Sequence, residues 1–411
     1  MSEHSGDSFI TMAAHALAQG DPLGALARIA LHDDAPSLAL RGIAMAQLGD
    51  FARAKALLRR ATHAFGPKEA IARSKCVVAE AEIALASRDL NWPAKRLDMA
   101  RALLEKHGDR ANAAHARNID IRRQLLLGRL DDVEAALAGI DPSPYSPLLK
   151  TIHELITAGV ALRRLQTKRA RSALTRAERA ARQAGIPALL AEVESAALAL
   201  STPAARLIRR GRERPLLLEE VAALLASEAF VVDACRHAVC DANATVSLAG
   251  RPVLFTLARL LGEAWPGDVP RNVLIARAFR TKFADDTHRV RLRVEMGRLR
   301  KLLQTLAEVR ATTQGFALVP SRAREVVVLA RPIEEKHGEV LALLADGETW
   351  SSSALALALG ASQRTVQRAL ESLAHSGKVQ SFGHGRSRRW GLPPLPGFTT
   401  TLLLLTSPPG G

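Results

Sequence analysis

The residues best suited to chemistry lie along one stretch, from Asp286 to Leu306. Read at about 100° per residue, Leu292, Met296, Leu299, Leu303 and Leu306 form a single apolar stripe of a helix. The opposite face carries Val290, Arg293, Val294, Gly297, Arg298 and Lys301, with Arg289 at its start. Arg hydrogen-bonds a guanine edge or a phosphate, Val packs on a thymine methyl, and Gly permits close approach. These residue types at this spacing point to a helix lying in a DNA major groove; an ordinary basic surface helix is the alternative. A second group, Ser362, Gln363, Arg364, Thr365, Gln367 and Arg368, lies toward the N-terminal, outward side of another helix. In that helix Val366, Leu370 and Leu373 face inward, and the N-terminal part of a recognition helix meets base edges. Past it runs a hairpin with a glycine-flanked tip at His384, whose Arg386, Arg388 and Arg389 suit phosphates or a minor groove.

Enzyme chemistry is not indicated. No phosphate-binding GxxxxGK[ST], no GxGxxG after a strand, no HExxH, no GxSxG and no CxxC pair occurs. Cys235 and Cys240 lack a second pair for zinc, and three cysteines make no disulfide framework. The histidines are scattered, and His288 suits a phosphate contact or a helix cap. A nuclease needs clustered carboxylates, and Asp285-Asp286 fits a helix cap better. No catalytic residue, cofactor or metal is therefore expected.

Charge locates the partner. The 411 residues carry a net charge of +16, which suggests a polyanion. Residues 1–200 hold a net +6, residues 201–332 a net +9, and residues 333–411 a net +1. Aromatics are only 4% against 48% hydrophobic residues, so the cores are built from Ala, Leu and Val, favouring helices. The opening residues lack a basic segment followed by an apolar stretch, and no run approaches the ~20 residues that span a bilayer. A soluble, cytoplasmic protein with no membrane contact is expected.

Five segments must position these residues. Residues 1–200 repeat a helix–turn–helix phrase marked by Gly49, Arg88, Gly128 and Leu165, spaced 39, 40 and 37 apart. That period is the signature of stacked helical hairpins. The stretch LGDFARAKALL resembles a tetratricopeptide repeat, and the resemblance implies a protein-interaction or self-association surface. An irregular helical bundle is the alternative. Residues 201–229 read as a basic linker or helix. Residues 230–332 begin with short β-branched runs split by Asp241-Ala242-Asn243. Three helices follow, the second with Pro270 in its first turn and the third capped by Asp286 or Thr287.

The run VRATTQGFALVP after a helix ending RLRKLL resembles the OmpR/PhoB-type winged-helix domain. By that resemblance residues 286–306 are the recognition helix and Val309 to Leu318 the wing. Thr312 and Thr313 would join the DNA contacts, Gly315 would serve the turn with a positive φ, and Phe316 would anchor the wing to the core. The receiver domain that usually precedes this module has no counterpart here, so aspartyl phosphorylation is not implied. Residues 333–393 hold EKHGEVLALLADG, SSSALALALG, RTVQRALESLAHSGKV and then the hairpin. This order resembles the winged helix-turn-helix of many bacterial repressors. Residues 394–411 form a Pro-flanked tail with a short β-like stretch.

The expected fold is mainly α: a helical-hairpin, tetratricopeptide-like solenoid followed by two α+β winged-helix domains. The expected function is a transcriptional regulator binding double-stranded DNA, with the array serving a protein partner or self-association. A protein-binding scaffold that reads no DNA is the alternative.

Overall fold

The computed structural model describes residues 3–281, 285–323, 325–332, 337–344, 349–383, 385 and 388–392. The chain is mainly helical, with small sheets, and among the described residues no helix is long and apolar enough to cross a membrane. It divides into two units: Met1–Arg163, Lys168–Ala197 and Lys336–Gly411 supply the described residues of the first, Arg164–Thr167 and Leu198–Glu335 those of the second.

The first unit opens with α1 (Glu3–Ala18), α2 (Pro22–Ile29), α3 (Ala35–Gln47), α4 (Phe51–Ala64), α5 (Ala70–Ala86) and α6 (Ala94–Lys106). Then come α7 (Arg110–Leu126), α8 (Leu130–Ala138), α9 (Pro147–Arg163), α10 (Thr167–Ala184) and α11 (Pro187–Ser201). Each helix from α1 to α8 packs on the next, and α1, α3, α5, α7 and α9 also pack on one another in succession. Gly-Asp pairs make several of the turns. Gly20, Gly49 and Gly108 take φ near +80°, and the following Asp21, Asp50 and Asp109 cap α2, α4 and α7 through their carboxylates. The turn markers Arg88 and Leu165 also adopt positive φ, 51° and 59°, without being glycine. Small residues let the helices approach: a Cβ on Gly42 of α3 would sit 2.9 Å from Leu58 Cγ of α4.

The same unit ends in α16 (Gly338–Leu344), α17 (Ser352–Leu359), α18 (Gln363–His375), β10 (Gln380–Phe382) and β11 (Arg389–Gly391). β10 and β11 pair antiparallel, and Trp350 bridges Trp390. These residues do not build a core alone. Leu90, from the turn between α5 and α6, is 1% exposed in one cluster with Leu344, Trp350, Leu355, Leu370 and Trp390. Arg123 of α7 donates to the Leu90 carbonyl through Nε and Nη2 at 3.2 and 3.0 Å. Arg88 lies 5.5 Å from the Trp350 ring centre, and Asn91 Nδ2 donates to Ser353 Oγ at 3.4 Å. Residues 333–393 therefore do not stand apart from residues 1–200, because the array contributes part of their core. The C-terminal end of the helix read from EKHGEVLALLADG, and the tail 394–411, lie outside the described residues.

The second unit holds β1 (Ala205–Arg209), β2 (Arg212–Leu216), α12 (Leu218–Leu225), β3 (Phe230–Asp233), β4 (Ala238–Cys240) and β5 (Thr245–Ser247). It continues through α13 (Pro252–Ala264), β6 (Asp268–Pro270), α14 (Arg271–Phe279), α15 (Asp286–Leu303), β7 (Ala307–Ala311), β8 (Gly315–Pro320) and β9 (Val326–Ala330). One sheet has the order β2-β1-β9-β3-β4-β5, the other β6-β8-β7. Residues 201–229 are thus not a linker. Apart from α12 they form a hairpin whose β1 pairs with β9, Arg206 opposite Ala330, because Leu207 and Leu216 are buried with Val231, Val327 and Leu329.

Candidate nucleic-acid interface

α15 is held by burial on one side only. Leu292, Met296, Leu299 and Leu303 are each at most 2% exposed and join Leu257 and Leu261 of α13, Leu274 and Ile275 of α14, and Val309, Phe316 and Leu318 of the β7–β8 hairpin in one cluster. The helix ends at Leu303, before the expected 306, yet Leu306 still belongs to that cluster. Its cap is Asp285 rather than Asp286 or Thr287: the Asp285 carboxylate accepts from the His288 backbone N–H at 2.8 Å. That backbone bond holds the Asp285 carboxyl below the usual carboxylate range. His288 Nδ1 lies 2.6 Å from the same oxygen, so His288 takes part in the cap.

The outward face is open. Val290 is 57% and Val294 49% exposed, and a Cβ on Gly297 would meet nothing within 4 Å. Arg293 and Lys301 are exposed and make no ion pair among the described residues. Arg298 donates to Glu295, a largely buried carboxylate, at 2.9 Å, and Arg289 donates to the exposed Asp286 at 3.1 Å, both within the helix. The exposed Arg289–Asp286 pair is worth ~1 kcal/mol or less.

The hairpin corrects one expectation. Gly315 has no positive φ; it is glycine because a Cβ would fall 1.8 Å from the Val269 carbonyl oxygen of β6. Thr312 is half-buried, and its hydroxyl donates to Asp268 Oδ2 at 2.5 Å while accepting from Gly315 N–H at 2.8 Å. That hydroxyl therefore orders the hairpin turn. Thr313 is exposed; its carbonyl and that of Thr312 accept from Arg271 at 2.9 Å each. Phe316 is buried, with Arg271 and Arg300 over its ring at 5.5 and 5.6 Å.

In the first unit, Ser362 caps α18, accepting from Thr365 N–H at 3.2 Å, and the two hydroxyls lie 2.8 Å apart. Both therefore fix the start of the helix. Gln363 donates to Ser352 Oγ at 3.1 Å. Arg364, Gln367 and Arg368 are exposed, and among the described residues their side chains have no partner. Arg388 lies 4.3 Å from the Trp390 ring centre and donates to Ser381 Oγ at 3.4 Å. His384 and Arg386 lie outside the described residues. The two groups of candidate residues thus belong to separate units.

Sequence reasoning missed Arg251, which lines a groove with Arg298 and Lys301, and Asp268, which orders the hairpin turn. Neither has a periodic signal, since each reaches the site through tertiary packing. Compared with known proteins, the chain matches no family model, no curated protein and no solved structure.

Proposed function

We propose that the chain is a sequence-specific DNA-binding transcriptional regulator, in which α15 is a recognition helix. Under this reading the second unit is an OmpR/PhoB-type winged helix with β7–β8 as its wing. Residues 338–391 are a second winged helix-turn-helix, and α1 to α11 a tetratricopeptide-like array for a protein partner or self-association. One observation carries the proposal. Val290, Val294 and Gly297 lie exposed in a row beside Arg293 and Lys301, cations with no ion pair among the described residues, on a helix whose other face is buried. A major groove offers methyl groups and phosphates to such a row.

The test uses the full chain. Binding fragments are selected from random duplex DNA, and affinity is measured against salt. Joint substitution of Arg293, Arg298 and Lys301 by Ala should weaken binding and make the slope of log K against log salt shallower by about two to three. Unchanged affinity and slope would remove α15 as the interface. No retardation of any duplex at low salt would leave the scaffold reading in its place.

A further inference from the structure

Beside the exposed face of α15 runs a groove of about 500 Å³, lined by Arg251, Pro252, Val253, Leu254, Glu295, Arg298, Lys301 and Leu302. Its polar lining is three cations and one acid. Glu295, its side chain 13% exposed, pairs with Arg298, so those two charges largely offset each other. Arg251 and Lys301 remain. Both are exposed, and neither makes an ion pair or side-chain hydrogen bond among the described residues. The groove therefore carries about two uncompensated positive charges over an apolar floor. Lys301 belongs both to the groove and to the row of Val290, Val294 and Gly297 on α15, so whatever lies against that row continues into the groove.

We infer that this groove seats a backbone phosphate of the duplex that α15 reads, with Arg251 as the phosphate-positioning residue. The inference rests on the DNA-binding reading above. It adds a residue from a different element, the turn before α13, and a role without base specificity. A helix in a major groove is flanked by the sugar–phosphate strands, and contacts to them fix register without reading sequence. Arg presents a fork of donors that matches two phosphate oxygens. The short apolar floor of Pro252, Val253 and Leu302 suits the sugar edge rather than a second charge. An acidic protein segment is the competing occupant, and the experiment separates the two.

Full-length Arg251→Gln and Arg251→Lys are titrated with a selected duplex and with a mixed-sequence duplex over a range of salt. Arg251→Gln should lose roughly tenfold in affinity for both duplexes alike, with the salt slope shallower by about one, and Arg251→Lys should restore most of the loss. A scan of single uncharged methylphosphonate linkages should find one position whose effect does not add to that of Arg251→Gln. If the wild-type chain binds DNA and Arg251→Gln binds as well as it does, the groove takes no phosphate and the inference falls alone. A loss confined to the selected duplex would assign Arg251 to base reading and overturn the phosphate role. Additive effects at every linkage would do the same. If the wild-type chain binds no duplex, the DNA reading itself fails and takes this inference with it.

Discussion

Leu90→Ala should loosen a part of the fold more than 240 positions away in sequence. The residue is 1% exposed and sits among Leu344, Trp350, Leu355, Leu370 and Trp390. Removing its three outer carbons forfeits ~2.4 kcal/mol of transfer free energy at ~0.8 kcal/mol per carbon, and the cavity left behind raises the total to about 3 kcal/mol. The Leu90 carbonyl keeps its bonds from Arg123, so the turn itself should persist. At ~1.4 kcal/mol per tenfold, the opening equilibrium of α17 and α18 should rise by about a hundredfold. Native-state amide exchange reads this residue by residue, which avoids assuming two-state behaviour in a chain of several modules. Leu104→Ala serves as the control, because Leu104 is equally buried but belongs to the cluster around Leu97 and Ala116. The expected pattern is faster exchange in α17 and α18 with Leu90→Ala and little change there with Leu104→Ala. Unaltered exchange of α18 in the Leu90 variant would refute the claim that the array completes this core.

Gly297→Leu should stabilise α15 by roughly 0.5–1 kcal/mol, since a Cβ there meets nothing within 4 Å, yet weaken duplex binding at least tenfold; thermal unfolding and a gel shift read the two effects separately. Thr312→Val should cost about 1–3 kcal/mol in the second unit by stranding Asp268 and the Gly315 amide, while leaving the salt slope of binding intact. Burial pushes the Cys76 thiol up to about 12 from 9.0, so at pH 8 the folded chain should protect Cys76 from iodoacetamide. In the unfolded chain this thiol loses its proton near pH 9 and in the folded chain only near 12. Its contribution to stability is therefore whole below pH 9 and lost as pH climbs toward 12. Urea unfolding of Cys76→Ala should show a flatter decline across that window than the parent.

Local rules made much of the fold readable. The four turn markers follow from a recurring helix–turn–helix phrase, and all four take positive φ, two of them without glycine. The stripe of α15 and the Ser362 cap of α18 also follow from helical period and capping chemistry. What escaped was set by distant packing. The β1–β2 hairpin looked like a basic linker because arginines dominate it, and its buried residues find partners only in β3 and β9. Gly315 was legible as a special glycine but for the wrong reason, since its constraint comes from the carbonyl of Val269 on another strand. The turn-ordering role of Thr312 was not legible, because it depends on Asp268, 44 positions away in sequence.

The pairing of β1 with β9 has a consequence for chain topology. Arg206 donates to the carbonyl of Arg331 at 3.1 Å although 125 positions separate them. The second unit thus starts and finishes at one place, as an inserted domain does. While it is unfolded, bringing residues 338–391 back to Leu90 closes a long flexible loop. Once it is folded, Arg206 and Arg331 are held together and most of that loop is already closed. Loop-closure entropy changes by ~0.6 kcal/mol per doubling, so this shortening is worth on the order of 2 kcal/mol. Folding of the second unit therefore shortens the loop that the C-terminal helices must close to reach Leu90, so a ligand that stabilises the second unit should favour that closure as well.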